Sequence, residues 1–138
     1  MLQEILRGRR EGAARVATAE AARSQREYEH NEARYIERRD AYIDLEQIIL
    51  KRERASLNRE LQGDPSPAEL GEGFIQLSDV DDALARVQLL GSDSASAAAE
   101  ELARALYTVV FEGKDFDVLD DQKKPYRAEV RADLNRVA

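Results

Sequence analysis

Residues 28–50 read YEHNEARYIERRDAYIDLEQIIL, with Tyr28, Tyr35, Tyr42 and Ile49 recurring every seven residues. A second ladder of Ala41, Ile48 and Ala55 runs beside the first, and Leu45 lies between them. Sevenfold spacing places such residues on one side of an α-helix. The helical reading extends outward in both directions. From Leu2 to Gln62 there is no proline, and the only glycines, Gly8 and Gly12, stand near the start. One continuous helix is predicted, about 90 Å long at about 1.5 Å per residue. A narrow apolar seam on so long a helix has to be buried, so packing and partner contact dominate what this protein does.

The seam is broad between positions 35 and 50, where Tyr35, Ile36, Ala41, Tyr42, Ile43, Leu45, Ile48, Ile49 and Leu50 cluster. That width predicts cover by two helices of the same chain. A dedicated two-stranded zipper would carry leucine or β-branched residues at both seam positions, whereas Arg38, Arg52 and Arg59 stand at such spacings here. Before Tyr28 the composition changes. Residues 2–27 are alanine-rich, with only Leu2, Ile5, Leu6 and Val16 as larger apolar groups. Alanine favours helix but buries little area. The expected organisation is an extended Ala-rich helical arm over 1–27 and a helical bundle over 28–138.

Gly63 can take a left-handed cap, and Pro65 and Pro67 block any continuation, so the first helix should end near Gln62. Residues 63–77 are expected to form a long loop, with Phe74, Ile75 and Leu77 folded onto the bundle. Ser78 and Asp81 have the spacing of a capping box for a helix over 79–90, which Gly91 closes. Ser92 or Asp93 caps the next helix, 94–112, and Gly113 ends it. An acidic connection over 114–122, with Phe116, Val118 and Leu119 as anchors, leads to a last helix over 124–137 with Pro125 in its first turn. The fold class is therefore all-α: an antiparallel helical bundle built on one very long N-terminal helix with three shorter ones. Its core is predicted to hold Tyr35, Tyr42, Leu45, Ile49, Leu84, Val87, Leu102, Leu106, Val109, Val130 and Leu134.

Composition supports this class. Charged residues make up 36% of the 138 positions and aromatics 6%, which suits helical bundles better than sandwiches or barrels. No cysteine is present, which excludes disulfide frameworks and thiolate metal sites and fits a cytoplasmic location. No run of apolar residues is long enough to span a bilayer, and the start has no signal-peptide core. Residues 1–62 hold 13 Lys+Arg against 12 Asp+Glu, a net +1; residues 63–138 hold 8 against 16, a net −8. This balance argues against a general nucleic-acid binder, which needs a basic face. The one basic cluster, Arg7, Arg9, Arg10 and Arg15, is a candidate contact for another protein or for anionic lipid at the inner face of a membrane.

Catalytic and cofactor motifs are missing. Glu27 and His30 share a helical face, but a carboxylate-bridged metal bundle repeats that pair, and His30 is the sole histidine. Asp115, Asp117, Asp120 and Asp121 lack the glycine and glutamate of a calcium loop and read as helix-capping acids. No serine lies in a nucleophile elbow, and no phosphate-binding glycine loop occurs. The sequence therefore points to no metal, no cofactor and no enzymatic activity. The seam tyrosines read as amphipathic core residues rather than stacking platforms.

The segment Tyr35-Ile-Glu-Arg-Arg-Asp-Ala-Tyr-Ile-Asp-Leu45 resembles the opening of a group of uncharacterised actinobacterial helical-bundle proteins. The likeness continues through Ala83-Leu-Ala-Arg-Val-Gln-Leu-Leu-Gly-Ser92 and Tyr126-Arg-Ala-Glu-Val-Arg-Ala-Asp-Leu134, covering about residues 7–135. Many members carry membrane helices just before an arginine-rich start. The resemblance implies that Arg7–Arg10 would be a juxtamembrane patch, although this chain begins at Met1 without such a helix. It implies no activity. The functional expectation is an interaction or scaffold protein that self-associates, or binds another helical protein, along Ile5, Val16, Tyr28 and Tyr35. The alternative is a peripheral membrane domain.

Overall fold

The computed structural model describes the backbone of residues 2–61 and 77–137, and side chains from Glu11 to Leu61 and from Leu77 to Arg136. Four helices and no strand are present among the described residues: α1 (Leu2–Leu61), α2 (Ser78–Leu90), α3 (Asp93–Glu112) and α4 (Asp117–Val137). The expected end of the first helix at Gly63 and the tucking of Phe74 and Ile75 lie outside the described residues. No described helix is long and apolar enough to cross a membrane.

The chain divides into two compact units, Met1–Ile36 and Glu37–Ala138. The division falls beyond the expected 27/28 boundary because every residue from Glu11 to Arg34 is exposed, Tyr28 included. In the first unit the described side chains of α1, from Glu11 to Arg34, face water, with Tyr35 half-buried near its end. Tyr35 is therefore not a member of the core.

In the second unit residues 37–61 of α1 pack against α2 and α4, and both run antiparallel to it. Register is fixed on one side by Arg38 Nε donating to the Leu90 carbonyl at 2.8 Å, Arg86 to Asp44 at 2.9 Å, and Arg52 Nε to Asp79 at 3.3 Å. On the other side Asp133 faces Arg38, Arg127 faces Glu46, and Lys123 bonds Glu53 at 2.6 Å. α3 packs on both α2 and α4. The core holds Tyr42, Leu45, Ile49, Val87, Leu102, Leu106 and Val109 as expected, with Leu84, Val130 and Leu134 packed at its margin. Leu77, Val80, Leu119, Tyr126 and a run of α3 alanines complete it.

The seam is narrower than its sequence width. Ala41, Tyr42, Leu45 and Ile49 are buried, whereas Ile36 and Ile43 are exposed. A one-residue step turns a helix by about 100°, so Ile43 points well away from the side Tyr42 shares with α2 and α4.

Two start signals act differently from their sequence reading. Leu77 occupies the cap position of α2, in αR geometry, and Ser78 is the first helical residue. The Asp81 carboxylate of the expected capping box accepts instead from the Tyr107 hydroxyl on α3. α4 begins at Asp117, where Val118 N–H bonds the Asp115 carbonyl at 3.1 Å and Asp120 N–H bonds that of Phe116 at 3.0 Å. Pro125 therefore lies inside α4 rather than in its first turn. Its fixed φ suits a helix, but a proline there removes one amide donor and its ring crowds the carbonyl four residues back. Of the three anchors, Leu119 is buried, Phe116 packs at the margin, and Val118 is exposed.

The other boundaries follow the sequence. Ser92 caps α3, its hydroxyl oxygen accepting from Ala95 N–H at 3.1 Å. Gly113 ends α3 with φ 66°, the left-handed geometry glycine takes without strain. At Gly91 a Cβ would stand 2.6 Å from the Tyr42 hydroxyl oxygen and 2.8 Å from the Val87 carbonyl oxygen, so close approach rather than dihedral angle calls for glycine.

Candidate functional site

Among the described residues a buried polar cluster surrounds Tyr42, and the water-facing part of α1 carries the sequence-predicted contact residues. The cluster is built by three elements. Tyr42 of α1 donates its hydroxyl to the Asp133 carboxylate of α4, and the same oxygen accepts from Ser92 N–H at the α2–α3 corner, at 3.2 Å. Tyr126 of α4 donates to the Tyr42 carbonyl at 2.7 Å, and the two rings meet edge-on with centroids 6.5 Å apart. Arg38 lies 3.6 Å from the other Asp133 oxygen while its Nε holds the Leu90 carbonyl. Asp133 is 4% exposed, the one buried charged residue among those described. No buried side-chain polar atom among the described residues lacks a partner.

Burial, followed by the hydrogen bond to Asp133, pushes the Tyr42 hydroxyl up to about 12. Burial, followed by the Glu46 charge, also raises Tyr126. Tyr107 is raised by burial and by its bond to Asp81. A phenol held neutral so far above neutral pH is poorly matched to acid–base catalysis. The arrangement fastens α1, α4 and the α2–α3 corner together. Burial by itself would lower Lys123, but hydrogen bonds to Asp120 and Glu53 outweigh it and hold the ammonium above its ordinary value.

These phenols give a pH signature. A tyrosine whose folded pKa lies above the unfolded value of about 10 stabilises the fold fully below that value, and the contribution is lost as pH rises through the folded pKa. Stability should hold up to about pH 10 and fall between about 10 and 12, as Tyr42 ionises. Ionisation of the buried Tyr42 and Tyr126, followed by tyrosinate absorbance through alkaline titration, should accompany the loss of helicity; smooth ionisation of every tyrosine with helicity intact would refute this.

A shallow trough between α1 and α2 includes Ala41, Ile48 and Ala83 in its lining and carries Asp44, Asp79 and Asp82. Arg86 pairs with Asp44, and Arg52 with Asp79. Among the described residues no His, Cys, Asp or Glu grouping suited to a metal ion occurs, and Glu27 and His30 stay a solitary exposed pair. In the acidic run, Asp115 accepts from Asp117 N–H at 3.4 Å and Asp120 pairs with Lys123 at 2.8 Å.

The sequence-predicted contact residues fall on α1. The side chains of Ile5, Arg7, Arg9 and Arg10 lie outside the described residues. Arg15, Val16 and Tyr28 are exposed, Tyr28 at 64%. Twelve residues of helix turn Val16 about 120° from Tyr28, whereas Tyr35 returns to within about 20° of Tyr28. Asp133 and Tyr126 were missed as a polar pair by sequence reading. Their signal was the sevenfold step between them, which puts both on the inner face of α4.

Comparison with known proteins gives no match to a family model, to a curated protein or to a solved structure.

Proposed function

We propose that this chain is a non-enzymatic helical interaction module that self-associates through the N-terminal part of α1. One observation carries the reading: every residue from Glu11 to Arg34 is helical and exposed, including Val16 and Tyr28. Helical segments in proteins draw most of their stability from packing one face. A second helix laid along this segment would supply that packing and remove Tyr28 from water. The second unit has its own core and a closed polar cluster, so it serves as a folded body that carries the helix.

The test is light scattering across a concentration series, on the full chain and on a chain lacking residues 1–27. The full chain should exceed its monomer mass increasingly as concentration rises, and the shortened chain should remain monomeric with its core intact. A full chain that stays monomeric throughout, or a shortened chain that assembles equally well, would overturn the proposal.

A further inference from the structure

We draw no further inference here: the strongest candidate, the partly exposed apolar stripe of Ile43, Leu50 and Leu57 along α1, is an unpartnered helix face, and nothing in the structure shows what covers it.

Discussion

Replacing Asp133 with alanine should destabilise the protein by about 2–4 kcal/mol, seen as a fall in Tm of about 10 °C for a chain of this size. The carboxylate accepts from Tyr42, whose hydroxyl is in the core, and faces Arg38 at 3.6 Å. Alanine leaves a buried phenol donor with no acceptor. Arg38 is only partly buried and can turn to water, which keeps the loss below that of a fully buried ion pair. Tyr42→Phe alone should cost less, about 1–2 kcal/mol, because it strands only Ser92 N–H and the Asp133 oxygen. The double variant Asp133→Ala with Tyr42→Phe should cost less than the sum of the two, by about 1 kcal/mol or more, since both remove the same hydrogen bond. Thermal and urea unfolding measure all three. An Asp133→Ala protein within about 0.5 kcal/mol of wild type would mean that the cluster does not hold the helices together.

The second large effect separates neighbouring positions on α1. Leu45→Ala should cost about 3 kcal/mol, because the side chain is wholly buried between helices and its loss leaves a cavity. Ile43→Ala should cost under about 1 kcal/mol: its side chain is 43% exposed, and alanine is the better helix former. Denaturant midpoints on the two variants decide the matter. Equal losses would mean that a further element covers Ile43 in solution and that the seam is as wide as its sequence suggests.

That contrast shows what could be read beforehand. The tyrosine ladder was enough to foresee a long helix and the burial of Tyr42, Leu45 and Ile49, since heptad spacing is a property of the chain itself. Gly91, Ser92 and Gly113 marked true boundaries because each acts within a few residues of its own position. The errors arose where a distant residue intervened. Asp81 looked like half of a capping box, but Tyr107, 26 residues further on, takes its carboxylate. Tyr35 continued the ladder but lies before the folded body begins at Glu37. Pro125 looked like a helix start, yet Phe116 and Leu119 anchor an earlier one against the core. Asp133 was overlooked because burial of a carboxylate depends on a partner 91 residues away, which no local pattern announces.

The distances along the chain that separate contacting residues also set an order of events. α2, α3 and α4 are joined by the short connections 91–92 and 113–116, and the first corner is held by Ser96 donating to the Val87 carbonyl only nine residues back. The bonds that bring α1 onto this trio close loops of 27 to 91 residues. Local contacts form before distant ones repay their closure entropy. Contacts among the three short helices are therefore expected to form ahead of the Tyr42–Asp133 bond, whose loop of 91 residues is the longest of these. Asp133→Ala should then speed unfolding more than it slows folding, which stopped-flow folding and unfolding rates check.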